Sequence, residues 1–362
     1  MSDAVLHLLG PSAGGIRRNV AFLARAFRER GWTVDVAGPP GVLDGLGEQR
    51  HTVSVPSGLD VREAMAARRS LATIAGRYDL VHAHGLKAGW LAASLRRGPP
   101  VVLTVHNVVL DEASARAAPV LRLLERLLPG RVDAVIAVSD DIASRLDRAP
   151  RPRRSAVIAA VGGRPQPTRD PDEVRRSLGV EPGQALVVTV ARLHPQKDLP
   201  TLLHAAVEVK RRHPDVRVVI VGDGPERERI RSLIDELGLG RTVTLAGPSG
   251  NAADEIAAAD VFVLASLWEG SPLVVSEALL LGRAVVASAV GAVPELVRDG
   301  ITGRLVAPGD VSALAAAVSE LLDEPDEAAR LAEAGAALAA ERLDQDRILD
   351  AVERVYRATV AR

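Results

Sequence analysis

Short valine-rich runs alternate with longer stretches of helical period along the whole chain, and this alternation constrains the fold more tightly than any single motif. The first unit reads as a strand over 5–9, a glycine loop from Gly10 to Gly15, and a helix over 16–30 with Val20, Leu23, Ala24 and Phe27 on one face. Further strands are expected over 33–37, 52–55, 80–83, 101–105, 134–138 and 156–159, with helical stretches such as 62–75 and 120–128 between several of them. Regular alternation of this kind calls for a parallel sheet covered by helices on both faces.

The stretch AAVGGRPQPTRDPD over 159–172 can be neither helix nor central strand and reads as a linker. Beyond it the alternation restarts, with strands expected over 186–190, 216–221, 243–246, 261–265 and 284–287. No short-period repeat is evident, so two α/β doubly wound domains in tandem are expected rather than a solenoid. The expected division is 1–165, 166–343 and a terminal amphipathic helix over 344–362 that carries Ile348, Val352, Val355 and Val360 and packs back on the first domain.

At 362 residues, with 47% hydrophobic and 25% charged residues, the chain can bury two cores and is not disordered. The absence of cysteine excludes disulfide scaffolds, thiol nucleophiles, iron–sulfur clusters and Cys-ligated zinc, and fits a reducing compartment. No apolar run approaches the ~20 residues of a membrane span, and the N-terminus lacks a basic leader region, so a cytoplasmic protein is expected. The net charge of −1 hides an asymmetry: residues 1–165 carry 23 basic and 15 acidic side chains, residues 166–362 carry 22 and 31. The basic positions include Arg68, Arg69, Arg96, Arg97 and the Arg122/Arg126 stripe beside Leu121, Leu124 and Leu128. Such a stripe is either a solvated helix face or a peripheral contact with anionic membrane. No nucleic-acid partner is expected.

In open parallel sheets ligands bind at the carboxyl ends of the strands, so the loops there carry the chemistry. The loop Gly10-Pro11-Ser12-Ala13-Gly14-Gly15 lets backbone N–H groups approach an anion, although a tight turn without ligand would look the same. After the strand over 186–190, Arg192 and Lys197 could converge on a diphosphate. After the strand over 261–265, Trp268-Glu269-Gly270-Ser271-Pro272-Leu273-Val274 places a helix start near Pro272, with Glu277 just over one turn inside. His82 and His84 share one face of a strand and His106 follows another. A three-histidine metal site there lacks a carboxylate or Cys partner at ligand spacing, so hydrogen-bonded histidines near a cleft are expected instead.

These residues form an ordered set. WEGSPLVVSEALLLGRAVVASAVGAVPELVRDGITGRLVAPGD, from Trp268 to Asp310, resembles the C-terminal signature of family 4 glycosyltransferases of the two-domain GT-B fold, including its Glu-x7-Glu motif at Glu269 and Glu277. ARLHPQKD, ending at Asp198, resembles that family's diphosphate-binding Arg and Lys. Gly14-Gly15, DLVHAHG ending at Gly85, LTVHN ending at Asn107 and AVSD ending at Asp140 match the N-terminal half, so the resemblance covers nearly the whole chain. One departure is Val161-Gly162-Gly163-Arg164, where the family usually has an Asn-Gly-Val-Asp-like turn.

The resemblance implies two Rossmann-like domains facing a cleft, and transfer of a sugar from a UDP- or GDP-sugar to a hydroxyl acceptor (a glycan, a lipid-linked sugar or a small molecule), with retention and without a bound metal or cofactor. It implies that Glu269, His106, Arg192 and Lys197 are catalytic. The donor would be held by Gly14, Gly15, Arg192, Lys197, Gly247, Pro248, Glu269, Gly270, Ser271, Pro272, Leu273, Val274 and Glu277. His84, His106 and Ser139 would stand on the acceptor side. Glu277 would take the ribose hydroxyls, Glu269 the donor sugar, and the loop at Gly247-Pro248 the base. Retention could use Glu269 as nucleophile or a front-face attack by the acceptor. A nucleotide-sugar 2-epimerase-like enzyme and a non-catalytic nucleotide-sugar-binding module share the same diphosphate site.

Overall fold

A computed structural model describes residues 3–11, 14–44, 46–47, 49–56, 60–95, 98–107, 118–147 and 154–361. Ser12, Ala13, Arg96 and Arg97 lie outside the described residues. The chain divides into two compact units, residues 1–163 with 345–362, and residues 164–344.

In the first unit, β1 (Ala4–Leu9), β2 (Thr33–Gly38), β3 (Arg50–Thr52), β4 (Leu80–His84), β5 (Val101–Val105), β6 (Ala134–Ala137) and β7 (Arg154–Val157) form one sheet in the order β3-β2-β1-β4-β5-β6-β7. All its pairings are parallel. The residues of β1, β4, β5 and β6 are buried without alternation, as a sheet covered on both faces requires. In the second unit, β8 (Leu186–Val190), β9 (Arg217–Val221), β10 (Val243–Gly247), β11 (Val261–Leu264), β12 (Ala284–Ser288) and β13 (Arg304–Val306) follow the order β10-β9-β8-β11-β12-β13, again parallel. Strand order reverses between β1 and β4 in one unit and between β8 and β11 in the other. At such a reversal the loops on either side diverge, leaving a crevice outside the carboxyl ends of the strands.

Three edges depart from expectation. The strand expected over 52–55 is β3 at Arg50–Thr52, that over 156–159 is β7 at Arg154–Val157, and β13 was not anticipated. Each is a sheet edge of three or four residues. Edge strands are anchored by one neighbour rather than by their own apolar pattern.

The helix Gln345–Val360 belongs to the first unit. Tyr356 is fully buried there, 5.2 Å between ring centroids from Phe27 and 5.6 Å from Trp32, while Arg357 lies over the Trp32 ring at 5.4 Å. Arg30 adds contacts to Asp346, Asp350 and Glu353, but these are largely exposed and secondary to the aromatic burial. The helix Ala118–Leu127 turns Leu121 and Leu124 partly inward, Leu128 is buried just beyond it, and the apolar side chains exposed along with Arg122 and Arg126 are Val120, Leu123 and Leu127. Among the described residues no helix is long and apolar enough to cross a membrane.

Candidate functional site

The loops after β8 and β11 meet at the reversal of the second sheet. After β8 the chain makes a single 3-10 turn, Pro195–Lys197, then enters the helix Leu199–Arg212 through Asp198 at φ 44. Asp198 is the one non-glycine residue with positive φ among the described residues. That sparsely populated conformation is held by Thr201 Oγ1, which donates to Asp198 Oδ2 at 2.6 Å. The sharp turn directs Lys197 to the neighbouring loop, where Nζ donates to Glu269 Oε1. Ser266 Oγ donates to the same oxygen at 2.6 Å. Gln196 fastens the two loops further, its Nε2 donating to Trp268 O at 2.8 Å and its carbonyl accepting from Leu267 N at 2.9 Å. Glu269 is buried, and both of these side-chain bonds fall on Oε1, leaving Oε2 to accept from a ligand.

Arg192 is exposed at the start of the β8 loop, with no carboxylate in ion-pair range among the described residues. Burial first, and then the neighbouring Arg192 cation, hold His194 below its ordinary pKa, so this loop's charge comes from Arg192 and Lys197.

Three close backbone approaches fix these loops. A Cβ on Gly222 would sit 1.9 Å from the carbonyl oxygen of Ala191, and one on Gly224 would sit 2.3 Å from that of Leu193. Leu193 N in turn donates to Asp223 O at 3.0 Å. A Cβ on Gly291 would sit 2.0 Å from Glu269 O, while Ala292 N donates to Gly270 O at 2.9 Å. Sequence reasoning missed Gly222, Gly224 and Gly291. The signal for the first two was a Gly-Asp-Gly between a valine-rich strand and a helix.

The helix Leu273–Leu280 starts at Pro272 with no side-chain cap and no acidic residue in its first turn. By contrast Asp60, Asp170 and Asp310 cap the helices Val61–Ala75, Pro171–Ser177 and Val311–Asp323 through their own carboxylates. The backbone N–H groups beginning at Leu273 and Val274 thus keep their partial positive charge for an anion, next to Gly270 and Ser271. Glu277 is buried within that helix. Gly247 ends β10 at φ 79 and accepts from Gly222 N at 2.7 Å, placing exposed Pro248 beside the β9 loop.

In the first unit the reversal lies between β1 and β4. Gly14 and Gly15 are exposed, and Gly14 at φ 69 caps the helix Gly15–Glu29 without a side-chain bond. Behind it runs a row of buried histidines. His7 Nδ1 lies 2.9 Å from His84 Nε2, and His84 Nδ1 lies 3.1 Å from His106 Nε2. His82 Nδ1 contacts the Tyr356 hydroxyl and His82 Nε2 the Thr104 hydroxyl, each at 2.6 Å. Burial pushes His106 down to about 4, and burial with the Arg28 cation pushes His7 down to about 3. His82 and His84 lie well below the ordinary value, first through burial and then through their histidine neighbours. All four are neutral near pH 7.

Nitrogens of His7, His82 and His84 lie within 4.8 Å of one another. Both nitrogens of His82 and both of His84 are already hydrogen-bonded, and among the described residues no carboxylate joins the group, so this donor set is committed to the fold. The metal-site alternative weighed from sequence joined His82 and His84 to His106. Instead His84 is fully enclosed between His7 and His106, so it reaches any ligand only through His106. Ser139 is also enclosed, its Oγ accepting from Ile142 N at 3.2 Å as a cap for the helix Asp140–Asp147.

Two parallel-sheet units of this topology, with cations and carboxylates gathered at a switch point, define the GT-B class. The family profile "Glycosyltransferase Family 4" matches residues 13–159 and "Glycosyl transferases group 1" matches residues 170–338. A D-inositol 3-phosphate glycosyltransferase of Mycobacterium marinum is 33% identical over 307 residues, covering 79% of this chain, and the chain spans 63% of that relative's length. The protein of the same name from Mycobacterium avium is 32% identical over 345 residues, covering 90% of this chain and 78% of the relative. Sucrose-phosphate synthase from Thermosynechococcus elongatus superposes with a TM-score of 0.84 at 25% identity, covering 99% of both chains. Anabaena HepE in complex with UDP-glucose superposes with a TM-score of 0.86 at 23% identity, covering 98% of this chain and 99% of that one. The chain belongs to glycosyltransferase family 4.

Proposed function

We propose that the protein transfers a sugar from a nucleoside diphosphate sugar to a hydroxyl acceptor, with retention at the anomeric carbon and without a metal ion. The observation that carries this reading is the meeting of Lys197 and Glu269 at the carboxyl ends of β8 and β11, with Arg192 at the same strand end. As the glycosidic bond breaks, negative charge grows on the leaving diphosphate. Arg192, Lys197 and the uncapped helix start at Leu273 supply fixed positive potential for that charge.

Glu269 Oε2 accepts from a hydroxyl of the donor sugar, Glu277 from the ribose, and the Gly247-Pro248 turn takes the base. The pairing of Glu269 with Lys197 lowers the carboxylate's nucleophilicity, which supports a front-face attack by the acceptor over a covalent intermediate on Glu269. His106 keeps the catalytic role that the family resemblance implies for it. The relatives named for D-inositol 3-phosphate support a small phosphorylated polyol as the first acceptor to test. The exposed Val120, Leu123 and Leu127 beside Arg122 and Arg126 support peripheral contact with anionic membrane.

The experiment is a matrix of UDP- and GDP-sugars against acceptor pools, with EDTA present, read by mass spectrometry. Sugar isomerised with no acceptor present would instead identify an epimerase.

A further inference from the structure

The three imidazoles His7, His84 and His106 form a single hydrogen-bonded file, and its two ends differ. At the inner end, His7 Nε2 is enclosed and has no hydrogen-bond partner among the described residues. At the outer end, His106 Nδ1 makes no hydrogen bond among the described residues. A neutral imidazole carries one N–H and one bare nitrogen, so the protons of such a file must all point the same way. Only two arrangements exist. In one, His106 Nε2–H donates to His84 Nδ1, His84 Nε2–H donates to His7 Nδ1, and an N–H is stranded at His7 Nε2. In the other, His7 Nδ1–H donates to His84 Nε2 and His84 Nδ1–H donates to His106 Nε2. That arrangement strands only a lone pair at His7 Nε2. Enclosed N–H groups without a partner are rarer in folded proteins than under-satisfied acceptors.

We propose that His7 and His84 are positioning residues whose one-way hydrogen-bond file fixes His106 as the Nδ1–H tautomer, so that the outer end of the file, at the carboxyl end of β5, presents a hydrogen-bond donor to a sugar hydroxyl. His82 stays out of the file because both its nitrogens are held by the hydroxyls of Tyr356 and Thr104. The same pairing spaces the file evenly: His7 sits opposite His82 in the β1–β4 register, and His7 and His84 stack with ring centroids 5.2 Å apart. Its role toward the sugar rests on the transferase reading above, whereas the tautomer itself does not.

The test is long-range 1H–15N correlation NMR on histidine-labelled protein at neutral pH, which identifies the protonated nitrogen of each ring with no substrate present. In the wild type, His106 and His84 are expected with the proton on Nδ1. His106 protonated on Nε2 would overturn the proposal without touching the transferase reading. His7→Leu removes the donor at the head of the file, and His106 is expected to become a mixture of tautomers. His7→Asn restores an amide donor and with it the single Nδ1–H form. An unchanged His106 tautomer in His7→Leu would also overturn the proposal, and should that variant fail to fold, the wild-type spectrum alone decides. A wild-type spectrum as expected, with no sugar transfer from any donor, would leave the tautomer standing and remove the transferase reading.

Discussion

Lys197 and Glu269 come from the loops after adjacent strands, β8 and β11, and form a largely buried ion pair in which Ser266 shares the same carboxylate oxygen. Removing either partner leaves a charge in a poorly solvated place. Lys197→Ala is therefore expected to destabilise the fold by about 2–4 kcal/mol and to lower turnover by about 10²–10³. The double variant Lys197→Ala/Glu269→Gln should recover much of the stability and none of the turnover. Urea unfolding and initial rates on the four members of this cycle measure both. Additive losses of stability would show that the pair is not coupled.

The histidine file makes stability pH-dependent. In the unfolded chain these histidines take up protons near pH 6.5, but in the fold His106 does so only near 4 and His7 only near 3, with His82 and His84 also far below 6.5. Below about pH 6.5 the unfolded state therefore binds more protons, and stability is lost as pH falls from there toward 4. Each of the four contributes a slope of up to about 1.4 kcal/mol per pH unit. Urea midpoints between pH 7.5 and 4.5 should drop steeply, and a flat profile to pH 5 would contradict the buried neutral assignment.

Gly291 holds the Glu269 loop by close approach. Gly291→Ala places a Cβ 2.0 Å from Glu269 O, so the loop must shift and nucleotide affinity should fall by about tenfold or more. Gly238→Ala is the control. Its φ of +64 is equally left-handed but its surroundings are open, so only about 1–2 kcal/mol of backbone strain is expected, with no change in nucleotide binding. Calorimetric titration with UDP and GDP separates the two outcomes.

The outer stripe of the helix Ala118–Leu127 exposes Val120, Leu123 and Leu127 next to Arg122 and Arg126. Weak binding to phosphatidylglycerol vesicles, released by salt and abolished by Leu123→Asp, is expected in flotation assays. Binding that survives Leu123→Asp would place the contact elsewhere.

Much of the fold and of the site is legible in the sequence. The strands over 101–105 and 186–190 coincide with β5 and β8 because central parallel strands are continuous apolar runs bounded by turn residues. Glu269 before a helix and Glu277 within it followed from Gly270 and Pro272. The edges β3, β7 and β13 did not follow, since three paired residues on one neighbour set each of them. His7 was invisible for a different reason. A lone polar residue in AVLHLL looks like an accident until β1 and β4 pair in parallel and bring it opposite His82. Strand parity puts His82 and His84 on one face but says nothing of what covers it, and His84, which the resemblance places on the acceptor side, is enclosed between His7 and His106.

The most direct measurement is transfer of labelled sugar in excess EDTA, with the anomeric configuration of the product read by NMR. The expected result is one UDP- or GDP-sugar giving a product of retained configuration at an unchanged rate in EDTA, with turnover lost in Arg192→Ala. Loss of transfer on adding EDTA, an inverted product, or full turnover in Arg192→Ala would contradict the proposed role of Arg192, Lys197 and the helix start at Leu273.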